Sequence, residues 1–138
     1  MTFFLSHSPD SGTAQGKRLV VIGGRPRFYK AAKMKKAVAT LEAMLLPHKP
    51  AQPVPSPVRL TIHWEFPWRK SETKRNMARG SMPHTKRPDL SNLIKELEDL
   101  LSVHRFIEDD AGVAQLVLHK TWGNDPGISI RIEPLEEA

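Results

Sequence analysis

The sequence predicts an α+β fold, a small mixed β-sheet packed with two main helices in the order β-α-β-loop-α-β-β. Three observations carry that expectation. Val58, Leu60, Ile62, Trp64 and Phe66 alternate with Arg59, Thr61, His63 and Glu65, the period-two pattern of a strand with one buried face. Two other stretches, Met34 to Leu46 and Leu90 to Leu101, repeat their apolar residues at helical spacing. Short β-branched runs beside glycine or proline supply the remaining strands.

Taken in order, Met1 to Leu5 is apolar but lacks the basic start and long apolar centre of a signal peptide. Ser6 to Gly16 is rich in Ser, Pro, Gly and Thr without apolar periodicity, so residues 1–16 are expected to form a flexible leader. A single domain is expected over 17–138, in keeping with a chain of 138 residues. Arg18 to Ile22, closed by Gly23-Gly24, reads as the first strand. A helix is expected from Phe28 to Leu46, ending before Pro47. Its first turns carry Lys30, Lys33, Lys35 and Lys36, where the helix dipole favours negative charge, so solvation or a nearby phosphate must offset them. Five prolines between Pro47 and Pro57 make an extended connector to the Val58 to Phe66 strand.

Trp68 to Arg87 has no apolar repeat and reads as a mobile basic loop, in which only Glu72 opposes Arg69, Lys70, Lys74, Arg75, Arg79, Lys86 and Arg87. A helix from Leu90 to about Ser102 follows, then strands near Val113 to Trp122 and Ile128 to Ile132.

Composition narrows the function classes. With 39% hydrophobic and 26% charged residues the chain has the profile of a globular protein. It contains no cysteine, which excludes disulfides and thiolate metal sites and leaves oxygen or imidazole as metal ligands. A formal net charge of +6 favours a polyanionic partner, nucleic acid first. No apolar run approaches the roughly 20 residues of a membrane-spanning helix, so the chain is expected in the cytoplasm, nucleoid-associated in a prokaryote or phage-encoded.

Chemistry concentrates between Arg87 and Val113. On a helical wheel Leu90, Leu93, Ile94, Leu97, Leu100 and Leu101 form a core face, while Asn92, Lys95, Glu96 and Asp99 gather opposite, with Asp89 beside that arc. Asp89 has two readings: a cap for the free amides of the first turn, or a ligand. Asp99 can likewise be a simple partner of Lys95 one turn earlier. Glu108-Asp109-Asp110 places three acids side by side, a repulsion that a solvated turn tolerates and a hard cation such as Mg²⁺ or Mn²⁺ relieves. Basic groups to hold a phosphate backbone and acids to hold a metal are what phosphodiester hydrolysis requires, with Lys95 as an ammonium for the transition-state charge.

The ordered set Arg87-Pro88-Asp89-Leu90-Ser91-Asn92-Leu93-Ile94-Lys95, Asp99, Asp109-Asp110-Ala111-Gly112-Val113 and Lys120 resembles the RusA-type crossover-junction endodeoxyribonucleases, the Holliday junction resolvases. The resemblance is strong over about His84 to Trp122 and weaker around Tyr29-Lys30. It implies that 17–138 is a RusA-like nuclease domain, homodimeric and dependent on Mg²⁺, with Mn²⁺ able to substitute. By the same resemblance Asp89 and Asp110 are the metal-binding catalytic acids, Asp109 is a neighbouring ligand, Lys95 is needed for cleavage, and Lys120 lies near the DNA or the acids. Arg69, Lys70, Lys74, Arg75, Lys86 and Arg87 are the further candidate DNA contacts. One departure matters: the family has a second aspartate two residues after the first, where this chain has Ser91, which offers a neutral oxygen and no charge. Asp99 or Glu108 can compensate. The implied activity is metal-dependent cleavage of four-way or other branched DNA in recombination and repair. The alternative is a branched-DNA-binding module of the same fold, catalytically weakened at Ser91, and an RNA-directed nuclease is a third option.

Overall fold

The structure, a computed structural model, describes residues 1–6, 17–22, 25–30 and 32–135, and between 17 and 34 it describes the backbone alone. Its strands are β1 (Thr2–Leu5), β2 (Lys17–Ile22), β3 (Arg25–Lys30), β4 (Val58–Pro67), β5 (Ser81–Pro83), β6 (Val113–Gly123) and β7 (Gly127–Pro134). The helices are α1 (Ala32–Leu45), α2 (Lys74–Met77) and α3 (Leu90–Val103), with 3-10 turns at Leu46–His48 and Asp110–Gly112. Five strands form one sheet in the order β1-β7-β4-β6-β5, in which β4 and β6 run parallel and the other neighbours antiparallel. The fold is α+β, as the patterning predicts.

The core follows from that alternation. Val58, Leu60, Ile62, Trp64 and Phe66 of β4 are buried beside Ile128, Ile130 and Ile132 of β7. Leu93, Ile94, Leu97, Leu100 and Leu101 of α3 complete the same cluster. Each such side chain taken out of water contributes roughly 1.5–3 kcal/mol, so α3 is held by its apolar face. Parallel strands need a crossover, and α3 lies within the connection from β4 to β6. The register pairs Trp64 with Lys120 and Phe66 with Trp122, which puts Lys120 and Trp122 on the core side of the sheet at its far end. That is where the chain enters α3.

Four expectations are corrected. Thr2–Leu5 is not a leader but an edge strand paired with β7, fixed by Leu5 at 1% exposure and by Ile132 N donating to Met1 O at 2.9 Å. Residues 7–16 of the expected leader lie outside the described residues. The first predicted strand forms, but it pairs with β3 in a separate two-stranded sheet. Phe28 to Lys30 belongs to β3 and not to the helix, which starts at Ala32. Aromatic residues favour strands, and each strand of a two-stranded ribbon is an edge that tolerates Pro26. The basic stretch is likewise not one loop. Thr73 caps α2 by accepting from Asn76 N at 3.2 Å, Gly80 turns the chain at φ 84°, and Ser81–Pro83 pairs with the end of β6.

Glu72 organises that stretch. Its carboxylate accepts from Asn76 Nδ2 at 2.6 Å and Arg69 NH2 at 3.1 Å, and these bonds hold its pKa below the ordinary glutamate range.

Candidate functional site

Asp89 opens α3. Its backbone is extended (φ −74°, ψ 148°), and its carbonyl oxygen accepts from the amides of Asn92 and Leu93, each at 3.1 Å. It therefore occupies the capping position. Its side chain nevertheless makes no capping hydrogen bond, so the carboxylate is left uncommitted at the positive end of the α3 dipole. The structural reading of Asp89 is thus half met: the backbone caps and the side chain does not.

The turn before Asp89 is tied to β6. Lys120 Nζ donates to the carbonyl oxygens of Lys86 at 2.5 Å and Pro88 at 2.7 Å. Burial lowers the Lys120 pKa, against the opposing pull of the Asp89 charge. His84 is 5% exposed, stacks on Trp122 with ring centroids 3.6 Å apart and meets the edge of Phe66 at 4.7 Å. Its Nδ1 accepts from Lys86 N at 3.0 Å, and its buried Nε2 has no partner among the described residues. Burial, with the cations Lys120 and Arg69 nearby, pushes the His84 pKa down to about 4, so the ring is neutral with its proton on Nε2. Arg69 lies over the Trp122 ring, 5.0 Å from its centroid.

The second acidic turn divides its three carboxylates between different tasks. Glu108 Oε1 accepts from Ser56 N at 2.6 Å and so anchors the proline-rich connector. Asp109 caps the 3-10 turn, accepting from Ala111 N at 3.4 Å. Asp110 Oδ1 is buried and has no hydrogen-bond partner among the described residues. An acceptor in that state costs about 1–3 kcal/mol unless a proton donor or cation meets it. The Asp110 charge is felt by Glu98, whose pKa is raised by burial and then by the charges of Asp110 and Asp99.

Glu98 escaped the sequence reading, although a signal was present. Ser91, Lys95 and Glu98 stand at i, i+4 and i+7, one face of a helix. Asp89, Ser91, Lys95 and Glu98 thus succeed one another along α3, and Asp110 faces that series from the 3-10 turn. Ser91 and Lys95 are exposed, and no ion pair joins Lys95 to Asp99 among the described residues. Asn92, expected on the polar arc, is buried at 8% exposure. Glu108 spends one carboxylate oxygen on Ser56 N.

Lys70, Lys74, Arg75, Lys86 and Arg87 are exposed along the segment that leads into α3, with Arg69 exposed but paired to Glu72 at 3.1 Å. Among the described residues no three acids or histidines are grouped closely enough to cage a metal by themselves. Mg²⁺ is ordinarily held through one or two carboxylates plus waters and substrate phosphates, and an orphaned Asp110 oxygen with an uncapped Asp89 fits that partial donor set. No helix among the described residues is long and apolar enough to cross a membrane.

The chain is similar to an uncharacterized protein, YqaN, of Bacillus subtilis (strain 168), at 26% identity over 125 residues that cover 86% of this chain and 87% of the relative. The family profile described as Endodeoxyribonuclease RusA matches residues 10–133, which spans both acidic turns, α3 and the sheet apart from β1 and the last residue of β7, and the chain belongs to the RusA endodeoxyribonuclease family.

Proposed function

We propose that this chain is a divalent-metal-dependent, homodimeric endodeoxyribonuclease that cuts four-way or otherwise branched DNA. Family membership implies junction-resolving endonuclease activity. One observation carries the finer reading: of the acids in the two turns, Asp89 and Asp110 are those left without hydrogen bonds among the described residues, while Asp109 and Glu108 hold backbone amides.

In this reading Asp89 and Asp110 supply the carboxylates for Mg²⁺ or Mn²⁺, with Asp109 beside them as a weaker neighbour. When bound, the cation lowers the pKa of water and stabilises the leaving oxygen. Lys95, exposed on α3 and without an ion-pair partner among the described residues, offers its ammonium to charge building on the scissile phosphate. Lys70, Lys74, Arg75, Lys86 and Arg87, with Arg69, hold the DNA backbone electrostatically. A two-fold dimer presents two such sites to the opposed strands of a junction. Incubating the protein with a synthetic four-way junction and Mg²⁺ should yield paired nicks, and Asp110→Asn should abolish them while the junction still binds. No cleavage with either Mg²⁺ or Mn²⁺ would sink the proposal.

Ser91 favours a second reading, a branched-DNA-binding module with weakened catalysis, because a neutral hydroxyl stands where the family has a carboxylate. Asp99, and Glu98 beside it, are the acids left to substitute. Ser91→Asp separates the two readings: a large gain in cleavage marks a weakened site, and an unchanged or lower rate marks a working serine-containing one.

A further inference from the structure

We infer that His84 and Lys120 are positioning residues that jointly grip the turn from His84 to Pro88 and so fix Asp89 at the head of α3 with its carboxylate uncommitted. The inference rests on the role proposed for Asp89 in cleavage.

Four hydrogen bonds make the grip. His84 N donates to Lys120 O at 3.0 Å, which sets the start of the turn on β6. Lys86 N donates to His84 Nδ1 at 3.0 Å, and Lys120 Nζ then reaches the carbonyl oxygens of Lys86 and Pro88. Both partners are themselves held. Trp122 and Phe66 fix the His84 ring on two sides, and sheet pairing fixes the Lys120 backbone against Trp64. The Pro88 carbonyl lies one peptide before Asp89, so the two rigid neighbours set where the Asp89 backbone can lie. A displacement of about 1 Å at a reacting group can cost on the order of 100-fold in rate, so such a grip has a catalytic consequence without touching substrate.

The geometry also separates Lys120 from the exposed cations. An ammonium has three donors, and two of those of Lys120 are directed at backbone carbonyls of its own chain. Its side chain is only partly exposed, whereas Lys70, Lys74, Arg75, Lys86 and Arg87 are exposed. A residue that meets DNA phosphate contributes to the salt dependence of binding; a residue that grips a turn does not.

The test uses the full chain, a four-way junction and single-turnover cleavage at saturating protein with Mg²⁺. Lys120→Met and His84→Phe should each slow cleavage by about 10- to 100-fold, with the junction Kd and its salt slope unchanged. His84→Phe keeps an aromatic ring against Trp122 and Phe66 but removes the acceptor for Lys86 N. His84→Asn keeps an acceptor near Nδ1 and loses the ring, so it should restore most of the rate. Faster hydrogen exchange at the Lys86 amide in His84→Phe, but not in His84→Asn, would report the same bond independently of cleavage. A salt slope reduced by about one in Lys120→Met would identify a phosphate contact and overturn the inference. Wild-type cleavage by His84→Phe would overturn it as well, as would His84→Asn being as slow as His84→Phe. Asp89→Asn is the reference: if it cleaves normally, the role of Asp89 fails and this inference falls with it, whereas an inactive Asp89→Asn beside a normal His84→Phe refutes the grip alone.

Discussion

The two acid-bearing turns that flank α3 are built by opposite means. The turn from His84 to Asp89 is held by the Lys120 ammonium and the His84 ring, and its acid makes no hydrogen bond in it among the described residues. The turn from Glu108 to Gly112 is held by its own acids, with Glu108 bonded to Ser56 and Asp109 to Ala111, and one acid left over. Density of acids therefore does not distinguish the carboxylates. Their bonding state does, and it leaves one acid in each turn without a hydrogen bond among the described residues.

The largest expected effect is a reciprocal pair of substitutions. Asp89→Ala should reduce junction cleavage by about 100- to 1,000-fold, yet lower the unfolding free energy by only about 0.3–1 kcal/mol, for the lost charge at the helix N-terminus, because no side-chain capping bond is lost with it. Asp109→Ala should do the reverse in kind, costing about 1 kcal/mol for the lost cap. Urea denaturation read beside single-turnover cleavage checks both. If Asp89→Ala is as destabilising as Asp109→Ala, the contrast between the turns breaks.

The next effect is a pH dependence assigned to the first turn. His84 is held neutral by burial and by the cations Lys120 and Arg69, with its pKa down at about 4 against an ordinary 6.5. Below 6.5 the unfolded chain takes up a proton that the folded chain refuses, so this contribution to stability is fully present above pH 6.5 and is lost as pH falls towards 4. The urea midpoint of the wild type should therefore drop between pH 7 and pH 5. His84→Phe should remove that part of the drop, whereas Asp109→Ala should retain it. An equal drop in His84→Phe and the wild type would show that the first turn is not its source.

Much of this contrast was legible beforehand, and the part that was not has physical reasons. Alternation in β4 and helical spacing in α3 are local patterns tied to burial, and both elements appear where the patterns place them. β1 is too short to show a period, and its existence depends on pairing with β7, which is distant in sequence. The ordering of the basic stretch depends on Glu72, one acid whose partners Arg69 and Asn76 become clear only in three dimensions. In the site, residue type points to Asp89, Asp109, Asp110 and Glu108 alike, and the family resemblance ranks Asp89 and Asp110 first. Hydrogen bonding separates the same two among the described residues, while the surroundings of His84 and Glu98 depend on packing against Trp122 and on burial beside the Asp110 charge, neither of them local in sequence.

The smallest expected effect sharpens the second turn. Asp99 follows Lys95 by one helical turn, a spacing that usually yields a few tenths of a kcal/mol, but no ion pair forms between them. Asp99 instead adds to the burial and the Asp110 charge that raise the pKa of Glu98. A carboxyl with a raised folded pKa contributes stability at low pH that is lost as pH rises through that value, so at neutral pH the ionised Glu98 sits among like charges at a cost. Asp99→Asn removes one of those charges and should stabilise the chain slightly, by no more than about 0.5 kcal/mol. The gain should be present at pH 7 and shrink as pH falls, because Glu98, with its raised pKa, takes up a proton and is no longer repelled by its neighbours. Loss of stability at pH 7 would mean that Asp99 supports the helix after all, and that the negative crowd around Asp110 does not extend to it.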